Sequence, residues 1–409
     1  MEYISRHMEE RIVALSKNYS AILLTGPRQS GKTTMLRELA EKEGIGRRYV
    51  TLDDLTERDM AKNDPALFLQ LHQPPVLIDE VQYAPELFTY IKIHIDTYHN
   101  PGDFWLTGSQ IFRLMQGVQE SLAGRVALLH MSPLSQREII GAPCVPFTTD
   151  LPRLMAEQEK IQPVTTPELF ARLWRGSMPG LVSGQYPDRN IFYSSYLSTY
   201  VERDVRELSG SIDALKFNRF VTAVAARCSQ LLNYAALAED ADLDVLTAKA
   251  WINILETLGI IFLLHPYSNN VLKRTIKTPK VYFYDTGLVC YLTRWSSPEV
   301  AESGAMNGAL LENFAVSEIV KGYLNAGLEP YLYFYRDRDA KEIDVIVEGD
   351  GKLCPLEIKK TALPDKRLTR VFHVIDKFPL QIGTGAILCM ADHFSAFDSN
   401  NLIVPIWTI

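Results

Sequence analysis

Cysteine is scarce in this chain and never closely paired. The five cysteines, Cys144, Cys228, Cys290, Cys354 and Cys389, form no C-x-x-C. That gives no zinc spacing and suits a reducing cytosol. Long hydrophobic runs are missing too: no segment reaches the roughly 18 apolar residues of a membrane span. The opening MEYISRHMEER is charged and lacks the apolar core of a secretory leader. The chain is therefore read as cytoplasmic. Nor is there an excess of positive charge. Lys and Arg number 42 against 49 Asp and Glu, a formal charge of −7. Such a chain does not coat nucleic acid by bulk charge, although a local basic surface remains open to it. There are no repeats and no low-complexity tracts. What is present is ordinary globular composition, 47% hydrophobic and 22% charged over 409 residues. That length predicts two or three domains.

The first chemical signal is GPRQSGKTT, Gly26 to Thr34, a complete G-x-x-x-x-G-K-[ST] phosphate loop. The apolar run Ala21 to Thr25 before it reads as a buried strand. Thr33 to Glu43 after it reads as a helix, with Met35, Leu36 and Leu39 at helical spacing. A loop at a helix N-terminus offers free N–H groups and the positive end of the helix dipole to an anion. Gly26, Pro27, Arg28, Gln29, Ser30, Gly31, Lys32, Thr33 and Thr34 are the expected nucleotide contacts. Lys32 is expected to reach the β- and γ-phosphates of ATP, and Thr33 to ligate Mg²⁺.

A phosphate loop needs an acid to hold magnesium. Val76-Leu77-Ile78-Asp79-Glu80 supplies one at the end of an apolar strand. Asp79 is expected at the magnesium, and Glu80 is placed to polarise the attacking water. Further candidate strands are Arg48 to Leu52, Phe104 to Thr107 and Val126 to His130, alternating with helical stretches at 64–71, 86–98 and 110–117. The alternation predicts a parallel α/β sheet with helices on both faces and nucleotide at the carboxyl ends of the strands. Thr107 or Ser109 sits at one such end, where it would sense the γ-phosphate. Arg113 and Arg125 are the arginine-finger candidates. A finger offered to a neighbouring subunit would require a homo-oligomer.

The second signal is AKEIDVIVEGDGKLCPLEIKK, Ala340 to Lys360. Two alternating runs flank the turn sequence Gly349 to Lys352. A symmetric hairpin sets Glu348 opposite Leu353, Asp344 opposite Glu357 and Glu342 opposite Lys359. Directly opposed carboxylates repel, and a divalent metal between Asp344 and Glu357 relieves that. With Lys359 the set resembles the D…E-x-K core of restriction-like nucleases, which implies acids that hold Mg²⁺ and a lysine that orients water. Glu312, near the apolar face of the preceding helix, completes the acid set. The bland alternative is a surface hairpin whose acids are paired with lysines.

Between the two signals, Pro143 to Pro167 carries five prolines and reads as a linker or loose helical insert. Asn190 to Glu207 reads as one long helix. From Ala214 to Pro266, three short helices and a strand predict a winged helix. Its wing offers Lys273, Arg274, Lys277 and Lys280 with no acid between Tyr267 and Tyr284, a candidate grip on nucleic-acid phosphates.

GPRQSGKTT, VLIDEVQ and WLTGSQ followed by SLAGR resemble the AAA-type ATPases of the AAA_14 family. YVERDV, VYFYDTGL, LLENFAVSEIV, YRDRDAKEIDVIVE and CPLEIKK resemble the DUF4143 domain that follows it in such chains. The resemblance covers nearly the whole sequence. It implies an α/β fold class: a P-loop ATPase core with a parallel sheet containing an additional strand, then a winged-helix region and a smaller restriction-endonuclease-like domain. The expected segments are 1–145 for the ATPase core, 146–210 for a helical linker region, 211–275 for the winged helix and 276–409 for the nuclease-like domain. The expected function is a Mg²⁺-dependent ATPase coupled to a nuclease-like domain acting on or near nucleic acid. The alternative is a regulatory ATPase whose C-terminal domain is an inactive nuclease fold that binds protein partners. A purely structural nucleotide-binding protein is disfavoured by Glu80.

Overall fold

The computed structural model describes residues 3–108, 122–209, 213–269 and 278–409. The chain divides into two compact units, residues 1–134 with 257–259 and 324–328, and residues 135–256, 260–323 and 329–409.

In the first unit, β1 (Ala21–Thr25), β2 (Arg48–Thr51), β3 (Val76–Asp79), β4 (Phe104–Gly108) and β5 (Val126–His130) form a parallel sheet in the order β2-β3-β4-β1-β5. β1 and β3 are buried along their whole length, as strands covered on both faces must be. Successive side chains go to opposite faces. Leu23, Ile78 and Leu106 pack with Phe68 of α4 (Pro65–Leu71) and with Phe88 and Ile91 of α5 (Leu87–Tyr98). Ile22, Leu24, Leu77 and Trp105 pack with Ile12 of α1 (Met8–Ser16) and with Met35 and Leu36 of α2 (Lys32–Glu43). Each such buried side chain contributes about 1.5–3 kcal/mol. α3 (Leu55–Asn63) starts at Asp54, whose carboxylate accepts the N–H groups of Thr56 and Glu57. The strand separating β1 from β3 is β4, so the additional-strand core is present. It brings the ends of β1, β3 and β4 side by side.

In the second unit the proline-rich stretch is more ordered than a linker. Pro152 and Pro167 stand in the first turns of α6 (Leu151–Gln158) and α7 (Thr166–Arg175), where a missing N–H costs nothing. The predicted long helix is interrupted. α8 (Arg189–Ser195) passes through a π-helical segment, Tyr196–Val201, into α9 (Glu202–Ser209). Next come α10 (Ala214–Ala225), α11 (Tyr234–Ala241), α12 (Val245–Thr257) and an antiparallel pair, β6 (Ile261–Leu264) with β7 (Lys280–Phe283). A boundary at 275/276 would cut this pair apart, because Ile261 to Leu264 are registered against Phe283 to Lys280.

After α13 (Thr286–Leu292) and α14 (Asn307–Asn325) comes a seven-stranded mixed sheet. Its strands are β8 (Leu332–Arg336), β9 (Glu342–Gly349), β10 (Lys352–Lys359), β11 (Gln381–Ile382), β12 (Gly385–Cys389), β13 (Ser395–Asp398) and β14 (Asn401–Pro405). The order is β13-β14-β12-β10-β9-β8, with β11 beside β10. The hairpin register is the expected one from Gly349–Lys352 through Glu348–Leu353 to Val345–Leu356. Among the described residues no helix is long and apolar enough to cross a membrane.

Candidate functional site

The phosphate loop owes its shape to two glycines. Gly26 has φ +141°, and a Cβ there would lie 2.1 Å from the Met131 carbonyl oxygen. Gly31 is left-handed at φ 91° and caps α2, whose first turn carries no acid of its own. Ser30 is buried and donates to the Pro27 carbonyl at 2.8 Å. Lys32 lies back over the loop and donates to the carbonyls of Gly26 (2.9 Å) and Pro27 (2.8 Å). Arg6, far upstream, pins the loop from outside through the Ser30 (2.7 Å) and Ser132 (2.8 Å) carbonyls.

The sheet order delivers the magnesium-side residues. Thr33 donates its hydroxyl proton to Asp79 at 2.8 Å, Tyr49 donates to the same carboxylate at 3.2 Å, and Thr107 donates to it as well. Burial raises the Asp79 carboxyl above the usual range, against the opposing hydrogen bonds from Thr107 and Thr33 and with help from the charge of Glu80. Glu80 follows in a left-handed conformation at φ 56°, a strained state for a side chain-bearing residue. Its N–H donates to Thr107 at 3.2 Å, and Gln82 donates to its carboxylate. Thr107 therefore links the two acids. Arg125 is drawn to Asp96 of α5, at 2.6 and 3.0 Å. Ser109 and Arg113 lie outside the described residues.

His130, at the end of β5, is 3.5 Å from the Thr25 hydroxyl. Burial and the Lys32 charge push it down to about 4, so it stays neutral at physiological pH. Sequence reasoning missed His130, Arg6, Tyr49 and Gln82. For Tyr49 and Gln82 a signal existed, since one lies in the strand beside β3 and the other two residues past Glu80. For Arg6 there was none.

In the second unit Asp344, Glu357 and Lys359 do converge. The Lys359 amine lies 3.1 Å from Asp344 and 2.7 Å from Glu357. Asp344 also accepts the Ile358 backbone N–H at 2.9 Å, so a side chain takes a place the ladder would fill. Glu342 is paired with β8 instead of with Lys359. It sits opposite Arg336 and binds that guanidinium at 3.2 Å. Burial first, and then the charge of Asp344, push Glu357 up to about 8, against the pull of Lys359. Burial works against the Lys359 charge, but Asp344 and Glu357 together outweigh it and hold the amine above its ordinary value.

Glu312 on α14 accepts from the Tyr282 hydroxyl at 2.7 Å and from Lys280 at 3.1 Å. Burial raises its carboxyl, and Asp344 is the next cause. Lys280 itself corrects an expectation. It is 3% exposed and bound to Glu342 at 2.6 Å as well as to Glu312. A strand residue facing three acids is drawn inward, so this amine does not grip phosphates. Lys273, Arg274 and Lys277 lie outside the described residues. Among the described residues no group of three or more His, Cys, Asp or Glu side chains is placed to hold a metal ion.

The motif VYFYDTGL has a structural role. Asp285 is buried and accepts from the Ser177 N–H (2.7 Å) and the Tyr193 hydroxyl (2.6 Å).

A parallel sheet with an added strand, a glycine-shaped loop before a helix, and an acid at the neighbouring strand end define a P-loop ATPase domain. Residues 18–140 match the family model described as AAA domain, AAA_14, and residues 307–409 match the domain of unknown function DUF4143. The chain thus carries an AAA_14 domain followed by a DUF4143 domain. Residues 166–299 between them match another domain of unknown function, DUF8612, which takes in the segment read from sequence as winged helix and all but the first part of the segment read as helical linker.

Uncharacterized proteins of Mycobacterium bovis and Mycobacterium tuberculosis are each 29% identical over 388 residues, covering 94% of this chain and 79% of theirs. Among solved structures, the Walker-type ATPase of Pyrococcus abyssi is similar over 71% of this chain and 96% of that chain, at 16% identity and TM-score 0.45. A variant of Thermotoga maritima RuvB is similar over 62% of this chain and 88% of that chain, at 15% identity and TM-score 0.32.

Proposed function

We propose that the chain is a magnesium-dependent ATPase coupled to a nuclease-like domain of the restriction-endonuclease kind, acting on or near nucleic acid. The observation that carries the coupling is the convergence of Asp344, Glu357 and Lys359. In the ATPase domain the loop from Gly26 to Thr34 cradles the phosphates. Lys32 exchanges its loop carbonyls for phosphate oxygens. Thr33 and Asp79 would hold Mg²⁺, which would supply charge neutralisation at the phosphates, and Glu80 orients the attacking water. α10 to α12 with β6 and β7 act as a winged helix within this reading.

The donor set in the second unit fits a hard divalent cation. It offers two buried carboxylates, Asp344 and Glu357, the oxygen donors that a hard ion of the magnesium type takes. When bound, the ion supplies Lewis-acid activation of a phosphodiester. Asp344 and Glu357 would hold it, and Lys359 would position water. Glu312 stands by as a third acid, held off by Lys280 and Tyr282. The test is one incubation of the purified chain with ATP, Mg²⁺ or Mn²⁺, and labelled DNA and RNA, following ATP and strand length together. Hydrolysis of ATP with neither cleavage nor binding of any strand would remove the nucleic-acid part.

One observation favours a second reading. Lys280 and Lys359 already balance the acids that a metal would need. In that reading the C-terminal domain is an inactive nuclease fold for protein partners, and the nucleotide state of the ATPase switches assembly.

A further inference from the structure

The edge of the seven-stranded sheet at β8 carries a groove of about 560 Å³, lined by the rings of Tyr267, Tyr335 and Phe378 and by Arg336, Arg338 and Lys377. The rings are not stacking platforms. Tyr335 and Tyr267 are buried, and they pack with Phe378 at 6.0 and 4.8 Å between centroids. Their visible work is on a cation. The Lys377 amine lies 4.8 Å from the Tyr335 ring centroid and 5.7 Å from that of Phe378, and it donates to the Tyr335 hydroxyl. Aromatic faces hold an ammonium without neutralising it.

Neither Lys377 nor Arg338 has a carboxylate partner among the described residues. Among the described residues the acid lining the groove is Asp337, which accepts from the Tyr335 hydroxyl at 3.5 Å. Its carboxylate accepts the N–H groups of Asp339 and Lys341, each at 3.0 Å. The third cation, Arg336, ties the groove to the acid cluster. It binds Glu342 at 3.2 Å, Glu342 binds Lys280 at 2.6 Å, and Asp344 follows two residues along the same strand. Arg336, on β8, thus links the groove to β9, the strand that carries one acid of the Asp344–Glu357–Lys359 cluster.

The geometry points to this groove as the track for one strand of nucleic acid, held by its phosphodiester backbone and led toward the acid cluster. Two cations without carboxylate partners and a third at the cluster side complement a run of phosphates. The volume is that of a ligand pocket, with room for roughly one or two nucleotides of one strand and not for a duplex. With the rings buried, the bases go unread, so binding is indifferent to sequence. The inference rests on the nuclease-like reading above. It also moves the phosphate contacts from Lys280 to Arg338 and Lys377.

The test is fluorescence anisotropy of end-labelled thymidine and uridine 12-mers with the full chain in EDTA, over a range of salt. The wild-type chain is expected to bind both. Arg338→Glu with Lys377→Glu should weaken binding about tenfold or more at 0.1 M salt and lower the salt slope by about 1.4, two single-strand phosphates' worth. Both positions are exposed, and a matching thermal melt checks the fold. Should the double variant misfold, Arg338→Gln alone is expected to lower the slope by about half as much. Wild-type binding with an unchanged slope in the variants overturns the groove and leaves the nucleic-acid reading standing. Failure of the wild-type chain to bind either strand overturns both. Competition by polyglutamate as strong as by unlabelled strand assigns the groove to acidic protein segments and overturns the nucleic-acid assignment.

Discussion

The Thr33 hydroxyl and the Asp79 carboxylate meet at 2.8 Å, 46 positions apart in the chain. The contact joins the first turn of α2 to the end of β3. β4 lies between β1 and β3 in the sheet, so the contact reaches across one intervening strand. The chemistry of the ATPase domain hangs on that closure, and so does the first prediction.

Lys32→Ala should abolish ATP binding, and Glu80→Gln should retain it while slowing hydrolysis on the order of a hundredfold. A fluorescent nucleotide titration and a phosphate-release assay read the two effects separately. Wild-type turnover in Glu80→Gln would take the water-polarising role away from this residue.

Lys280→Met should destabilise the chain, by about 1–3 kcal/mol, because the half-buried Glu312 and Glu342 lose a shared cation. Adding Glu312→Gln should recover part of the loss, since the double change removes a charge along with its partner. Urea midpoints of the wild type and the two variants check this. A single variant as stable as the wild type would mean the buried amine is dispensable.

Glu357 gives stability a pH dependence. Its carboxyl is raised from an ordinary value near 4.5 to about 8 in the folded chain. The folded state therefore binds the extra proton. The contribution is full below the unfolded value and is lost as pH rises through about 8. Melting temperature in EDTA should fall between pH 5 and pH 8, and Glu357→Gln should flatten that slope. An identical slope in the variant would place the titrating group elsewhere.

Metal binding should expel that same proton. Titration calorimetry of Mn²⁺ at pH 7 in buffers of different ionisation enthalpy should show net proton release, and Mn²⁺ should raise the melting temperature by mass action. Asp344→Asn should weaken binding, and Lys359→Ala should reduce any cleavage without removing the metal. Absence of Mn²⁺ binding at millimolar concentration would leave the protein-partner reading as the better one.

Much of this was legible before the fold. The spacing from Gly26 to Thr33 and the strand ending at Asp79 state their chemistry locally, because backbone geometry and side chain identity lie in one short segment. The hairpin register was readable as far as Val345–Leu356, since alternation and a turn fix it. What lay beyond was set by distant segments. Glu342 faces Arg336 on β8 and not Lys359, and an isolated hairpin contains no β8. Lys280 looked like a surface cation because its near neighbours carry no acid, whereas its partners stand 32 and 62 residues downstream in Glu312 and Glu342. The groove cations were scattered between 336 and 377, with no local pattern to gather them.

The pairing of β7 with β6 has a consequence for how such chains can be cut and rejoined. Lys280 takes its position from the hairpin and its partners from α14 and β9. A fragment beginning at 276 would keep the amine but lose the strand that aims it, and one ending at 275 would leave Glu312 and Glu342 without it. The middle segment and the C-terminal sheet therefore depend on each other through one amine, and a shuffled chain that exchanges one without the other should be recovered mainly as insoluble protein.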